Sequence, residues 1–566
     1  MKTEDPSATS ETRRKPMAGA RLRRDVGPIG LMFVSLGSII GSGWLFGALA
    51  ATQIAGPAAI ISWVIGMVMT MMIALTYAEV GTMFPQSGGI ARYPHYSFGS
   101  FASFNLGWAN WLGVAAAAPI EVLATVQYAT SYLPWLERVE DGVAVLTAPG
   151  LVVSIGLMAV FVVINALGVR FFARINNVLV WWKIGVIVVV IIALFLVSFH
   201  PSHFTDYGGF APTGMSGIFG AITGGGIAVA YGGFQQAISL AGESRRPQRD
   251  VPLTVIGSLL IAGVLYIALQ IAFIGAIPTS ALTPGGWSMA GEHLHSADDM
   301  AAQFGPLAAV ASALGMGWLA TLLYADAIVS PGDTGMIYVG TTARMSYAMG
   351  RNANAPAALA KVSRTGVPWV GLVLAFIVGC IFFLPFPGWQ KLIGFQVSAT
   401  LISFGSGPVV LLAMRKQLPR MPRPFRLRAP RTIAFLALWV CNLIIYWTGW
   451  EVTWKIMMVV LIGFALFAVA RWRTKGTRVP IDLRYGWWIL LWYVGITVIG
   501  YLGSYPAASD NAGNLGLLTT AWALLANAVL AVVVLVVAVC IAPDTVLHSD
   551  QPDTEDIPPA SEQLAS

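Results

Sequence analysis

The sequence predicts an all-α integral membrane protein: an inverted repeat of five plus five spans, followed by four more. Three observations carry this reading. Of 566 residues, 57% are hydrophobic and only 10% are charged, against about 25% charged in soluble domains. Apolar runs of about 20 residues, long enough to cross a bilayer, recur along nearly the whole length. The first and sixth runs, five apart, are interrupted by glycine clusters, the mark of broken helices in a two-fold repeated carrier.

The spans lie near residues 29–55, 57–83, 105–133, 150–168 and 176–198, then near 215–241, 252–277, 314–342, 369–387 and 391–414. Four more follow near 431–450, 453–471, 486–503 and 516–542. Fourteen is even, so both termini are expected on one side. The chain divides into a disordered tail (1–27), a ten-helix inverted-repeat core (28–415), a basic Pro- and Arg-rich linker (416–430), four further helices (431–542) and an acidic tail (543–566). Met1 to Arg24 has no short apolar core or cleavage site, so it reads as a cytoplasmic tail and not a signal peptide.

Charge placement orients the spans. With the N-terminus cytoplasmic, Arg170, Arg174, Arg245, Arg246, Arg249, Arg344, Arg351, Lys361 and Arg364 fall inside. So does the cluster of Arg415, Lys416, Arg420, Arg423, Arg426, Arg428 and Arg431. Arg138, Lys391 and Lys455 fall outside, among the acids Glu137, Glu140, Asp141, Glu292, Asp298, Asp299 and Asp510. This is the positive-inside pattern. It accounts for the net charge of +7 without a nucleic-acid partner. Cys380, Cys441 and Cys540 each sit in an apolar span and form neither a disulfide framework nor a metal set. His293 and His295 lie in the long Thr279–Phe304 loop, without a carboxylate in register, and read as a surface pair. No cofactor is implied.

The first span contains Ile39-Ile40-Gly41-Ser42-Gly43-Trp44-Leu45-Phe46. Each glycine costs a helix about 1 kcal/mol relative to alanine. In lipid, a break also leaves backbone groups unpaired at several kcal/mol each. A half-helix starting after Gly41 would point N–H groups at a carboxylate, and the carbonyls of Ile39 and Ile40 would suit an ammonium. Read alone, the stretch is equally a place where helices pack closely through small residues. Span six carries Ala221-Ile222-Thr223-Gly224-Gly225-Gly226 and Ala230-Tyr231-Gly232-Gly233-Phe234-Gln235. Gly41 is roughly 20 Å and Gly232 roughly 16 Å from the inner ends of their spans. The breaks therefore meet at similar depth, and the pair reads as a socket for an amino acid zwitterion. Its candidate residues are Ile39, Ile40, Gly41, Ser42, Gly43, Ala230, Tyr231, Gly232 and Gly233, with Trp44 and Tyr231 as gates.

These motifs resemble the amino acid–polyamine–organocation superfamily, which has the leucine-transporter fold. Gly41-Ser42-Gly43-Trp44-Leu45-Phe46 is similar to the family's G-x-G-I-F break. Tyr77-Ala78-Glu79-Val80 with Phe84-Pro85-Gln86-Ser87-Gly88-Gly89 resembles its span-two signature. Glu243 through Pro252 resembles the span-six exit, and Thr342 through Met349 the span-eight exit. The matches run in order over about residues 27–415. Fourteen spans, with Ala325-Asp326-Ala327-Ile328-Val329-Ser330-Pro331, are similar to the branch of aspartate–proton symporters. Gln235 stands where the family carries an acid, which weakens a polyamine or basic substrate. The resemblance implies a plasma-membrane permease that imports an amino acid with a proton, an acidic one such as aspartate being favoured by analogy.

Ionisable residues inside spans are functional candidates by default. They are Glu79, Glu121, Lys183, Asp326 and Asp333. Glu79, near the inner end of span two, reads equally as a structural group. Glu121 heads a helix face with Thr125, Tyr128 and Tyr132 that would line the substrate path or hydrogen-bond within the bundle. Lys183, about seven residues into span five, could snorkel to the interface. The resemblance implies instead that it replaces the sodium of sodium-coupled relatives, with Ser330, Asp333 and Thr334 on span eight as its coupling partners. The alternatives to a proton symporter are an exchanger or a non-transporting amino acid sensor. No filter motif suggests a channel, and no nucleotide loop, metal cluster or nucleophile–base set suggests an enzyme. The last four spans would serve dimerisation or packing.

The charge pattern is directly testable. With the native cysteines removed, a single cysteine near Arg423 should resist an impermeant thiol reagent in intact cells, and one in the Thr279–Phe304 loop should react. Reaction near Arg423 from outside would invert the topology.

Overall fold

The structure is a computed structural model, and it describes residues 26–86, 88–140, 143–282, 286–290, 305–351, 355–363, 366–384, 388–473, 482–505 and 513–547. The loop histidines and the tail residues 1–25 and 548–566 lie outside these. Span one is two helices, α1 (Pro28–Ile39) and α2 (Gly43–Ala55). Spans two and three are α3 (Ala59–Met83) and α5 (Ser100–Thr130), joined through a short helix α4 (Gly89–Phe98) that the sequence reading did not foresee. A two-stranded hairpin, β1 (Glu137–Glu140) with β2 (Val143–Leu146), leads to span four, α6 (Ala148–Ala166). Span five is α7 (Val169–Val197).

The second half repeats the order. Span six is three pieces, α8 (Gly214–Thr223), α9 (Ile227–Ala230) and α10 (Gln235–Ser239). Span seven is α11 (Pro247–Ala276). A short helix α12 (Pro306–Ala313) precedes span eight, α13 (Gly317–Arg351), and span nine is α14 (Trp369–Phe382). Span ten is α15 (Trp389–Phe404) and α16 (Ser406–Gln417), parted at Gly405. The final spans are α17 (Pro430–Trp447), α18 (Trp450–Arg473), α19 (Leu483–Gly486) with α20 (Trp488–Leu502), and α21 (Thr520–Ile541). Proline at the first helical turn starts α1, α11, α12 and α17, where its missing N–H costs nothing.

Among the described residues, ten helices are long and apolar enough to cross a membrane, and α1, α8 and α14 are shorter apolar helices. The chain is a multi-pass, all-α membrane protein. Span eight, 35 residues long and carrying Asp326, Asp333 and Arg344, is not among the ten. Span three is the central post. Every residue of α5 except Trp108 and Ala129 is buried, and it packs against α13 and α15. Its run of Ala115–Ala118 allows that close approach.

The four extra spans pack on the ten-span core. Helix α17 lies against α3, and α18 lies against α15 and α5. Thr223 donates to the Trp447 carbonyl (2.9 Å), and Phe219 stacks on Trp447. At the N-terminal face the linker is held by Glu79, so the structural reading of that residue prevails. Arg415 grips its carboxylate at both oxygens (2.8 and 2.7 Å), Arg423 lies 3.4 Å away, and the Leu427 N–H donates at 2.8 Å. Two oxygens meeting a planar fork plus a backbone donor is the strong form of a charged hydrogen bond.

Glu79→Ala would strand two arginines and a backbone donor. It should lower stability in detergent by about 3–5 kcal/mol. Lys455→Ala, which breaks an exposed i,i+4 pair with Glu451, should cost under about 0.5 kcal/mol. Thermal unfolding followed by tryptophan fluorescence compares them, and equal losses would dismiss the clamp.

Candidate substrate and coupling sites

Helix α1 ends at Ile39 and α2 begins at Gly43, so the backbone between them loses its helical partners. The chain meets these groups from within. The Gly37 carbonyl accepts from Lys183 Nζ (2.8 Å) and Thr334 Oγ1 (2.7 Å). The Ile39 carbonyl accepts from the Tyr266 hydroxyl (2.8 Å), and that of Ile40 from Thr334 (3.2 Å). On the other side of the break, the Ser42 N–H donates to Glu121 Oε2 at 2.8 Å. The carbonyls expected to await an ammonium thus already accept hydroxyls, and the expected carboxylate site holds a carboxylate of the chain itself.

The two broken spans touch. A Cβ on Gly43 would sit 3.1 Å from the Ala230 Cβ, and one on Gly233 would sit 2.6 Å from the Ile39 nitrogen. Gly233 also has φ +130°, a conformation only glycine adopts readily. Its N–H is capped by Gln235 Oε1 at 2.7 Å. The neutral amide at the family's acid position thus serves the break's own backbone.

Of the residues expected to bind substrate, Ile39, Gly41, Gly43, Ala230 and Glu121 line one cavity between spans one, three and six. Ser38, Tyr338 and Gln396 join them, and none of these was singled out from sequence. The cavity leaves about 20 Å³ to water centres, room for a water and not for an amino acid. Among the described lining residues no side chain is cationic.

Ile40, Ser42, Gly232 and Gly233 shape the break without lining the cavity. Tyr231 is not placed as a gate. Its hydroxyl donates to the Trp63 carbonyl (3.1 Å), and its ring packs with those of Trp63 and Tyr266. Trp44 is fully buried and also misses the cavity. One residue along a helix turns the side chain by about 100°, so Trp44 leaves the face that Gly43 presents. Phe46, three residues on, returns to it. Phe46 lies 4.4 Å from Trp389 and 5.2 Å from Tyr128, ring centre to ring centre. Trp389 Nε1 donates to Ser42 Oγ (3.0 Å), and the Tyr128 hydroxyl donates to the Leu45 carbonyl (3.3 Å). This aromatic cluster packs one turn beyond the break, on the side opposite the N-terminus, and does not itself line the cavity. The Glu121 helix face held a clue to Tyr128, whereas nothing local in sequence connects Trp389 to Ser42.

Lys183 lies fourteen residues into α7, which begins seven residues earlier than expected. That is about 21 Å of helix. The side chain is fully buried, so the snorkelling alternative fails. Its ammonium forms an ion pair with Asp333 Oδ2 (2.8 Å) and donates to the Gly37 carbonyl (2.8 Å) and Thr334 Oγ1 (2.9 Å). Ser330, expected beside them, instead donates to Asp326 Oδ1 at 2.7 Å. The Ala327 carbonyl, deprived of a helical donor by Pro331, accepts from Thr125 Oγ1 (3.1 Å). Span eight is thereby fixed to span three close to Asp333 and Thr334.

Comparison with known proteins agrees with this architecture. A family described as amino acid permease matches residues 26–501. The glutamate/serine transporter AimA of Bacillus subtilis is 39% identical over 513 residues, covering 89% of this chain and 91% of that protein. The aspartate-proton symporter of the same organism is 33% identical over 84% of this chain and 89% of its own. The branched-chain amino acid permease BcaP, also from Bacillus subtilis, is 26% identical over 79% of this chain and 92% of its own. The chain belongs to the amino acid permease family and is a membrane transporter, not an enzyme.

Proposed function

We propose that the protein imports an amino acid together with a proton, with both termini in the cytoplasm. The observation that carries this is the Lys183 ammonium tying Asp333 and Thr334 on span eight to the Gly37 carbonyl of broken span one. A proton on Lys183 supports an ion pair and two charged hydrogen bonds at the hinge of the substrate site. Its loss toward the cytoplasm removes them together, frees α1 from α13 and favours release of substrate. The arrangement leaves no need for a sodium ion there.

The substrate would use the same broken span. Its carboxylate takes the N–H groups at the start of α2, displacing Glu121, and its ammonium takes carbonyls at the end of α1. The absence of a cation from the described lining and the amide of Gln396 favour a neutral polar side chain of the serine class, and serine is named for one relative. An acidic substrate is the second reading. The glutamate and aspartate named for two relatives favour it, but its second carboxylate would find no cation in the described lining.

Uptake of labelled serine and aspartate into proteoliposomes, with an inward proton gradient and no sodium, tests the function. Binding without uptake would make the protein a sensor, and exchange without pH-driven accumulation an exchanger. Lys183→Ala should cut pH-driven accumulation at least about tenfold while affecting exchange less, since 1.4 kcal/mol is already tenfold. Lys183→Arg should not rescue it, because arginine stays protonated. Full accumulation by Lys183→Ala would place the coupled proton elsewhere, with Glu121 the next candidate. Gly43→Leu should abolish binding in a protein that still reaches the membrane, because its side chain meets Ala230. Normal uptake by that variant would assign Gly43 to packing alone.

A further inference from the structure

Asp326 lies on α13 seven residues before Asp333, with Ser330 between them. Spacings of four and three keep all of them on one helix face, and the two acids are about 10 Å apart along the axis. Asp326 is completely buried. Its Oδ1 accepts from Ser330 Oγ (2.7 Å) and Trp182 Nε1 (2.9 Å), while Oδ2 has no hydrogen-bond partner. A buried carboxylate oxygen left unpaired inside a membrane is costly and calls for a use. The charged and titratable groups facing it are Lys183 from α7, Tyr128 from α5 and Asp333 on its own helix. It does not line the substrate cavity.

A matching feature lies on the other side of the Lys183–Asp333 pair. Asn176 precedes Lys183 by two turns on α7, is buried, and has neither amide atom hydrogen-bonded. Its Oδ1 and Asp333 Oδ2 each lie 3.0 Å from where a Cβ on Gly37 would stand. The ion pair is therefore flanked along one seam by two unsatisfied polar side chains. Asp326 lies toward the face opposite the N-terminus, and Asn176 toward the N-terminal face.

We propose that Asp326 receives the external proton and passes it to Lys183 along this seam between α7 and α13, apart from the substrate path. This rests on the proton-coupled reading above. Hydronium gives its proton to Asp326 Oδ2, forming an O–H bond and leaving water. After Lys183 has released its proton inward, its neutral amine takes the proton held by Asp326. Ser330 and one intervening water each accept one proton and give one on. Asp326 returns to carboxylate and Lys183 to ammonium, so one proton has moved inward by one stage. Trp182 fixes the carboxylate against the helix and is itself a positioning residue.

The test uses the full-length protein in proteoliposomes and compares pH-driven accumulation with counterflow exchange at equal pH on both sides. Asp326→Asn keeps the shape and an acceptor for Trp182 and Ser330, but cannot carry the proton. It should lose at least about tenfold of pH-driven accumulation while counterflow falls no more than about threefold. Trp182→Phe keeps the carboxylate and removes a donor, so it should move the external pH of half-maximal uptake by about half a unit or more. Wild-type accumulation by Asp326→Asn, or an equal fall in both modes, overturns the proposal. If Asp326→Asn does not assemble, the pH profile of Trp182→Phe decides, and an unmoved profile overturns it. Lys183→Ala in parallel separates the two readings. Coupling lost there but kept in Asp326→Asn rejects this route alone, whereas coupling kept in Lys183→Ala rejects the proton site itself.

Discussion

A backbone that leaves its helix in the middle of a membrane must find partners for every group it exposes. In this chain that constraint falls on the segment Ile40–Ser42, and the surrounding architecture answers it. Span eight sends Thr334, span five Lys183, span seven Tyr266, span three Glu121 and span ten Trp389. Each is a long-range contact to Gly37, Ile39, Ile40 or Ser42 of span one, four of them on the backbone and that of Trp389 on the Ser42 hydroxyl. The break organises the bundle because four spans satisfy its backbone and a fifth its serine. All five donors or acceptors are side chains, so all can be withdrawn, as the backbone of an unbroken helix cannot.

The same economy explains the pairing of functions. The carbonyls freed at the end of α1 hold the lysine and its threonine, and the N–H freed at the start of α2 holds the glutamate. A ligand that enters the break must exchange with groups whose charge depends on a proton. Under the proposed coupling no long-range signal is needed, since both events fall between Gly37 and Ser42 of span one.

Much of this was legible in sequence because glycine clusters and intramembrane charges are rare and local. The breaks at Gly41 and Gly232 and the Glu121 face follow from single stretches read against lipid as solvent, whereas Lys183 stood out from a snorkelling lysine only through the family resemblance. What stayed hidden was which way each side chain turns and what meets it. Tyr231 adjoins the break yet packs on Trp63, because one residue of helix rotation is enough to leave the cavity. Gln396 and Trp389 lie more than 300 residues from span one, and no local pattern announces such pairings. Glu79 was ambiguous until the linker that it grips was seen folded back on it.

Span three touches lipid almost nowhere, for nearly all of α5 is enclosed by protein. During synthesis it nevertheless emerges before spans eight and ten, the helices that enclose it. Until they arrive, polar residues of that face such as Asn110, whose partner Met345 is on span eight, have not met the helices that enclose them. Assembly therefore has a waiting stage, in which the future centre of the molecule is its most poorly solvated part. A chain stalled or truncated before span ten would present that polar helix to the membrane's quality-control machinery.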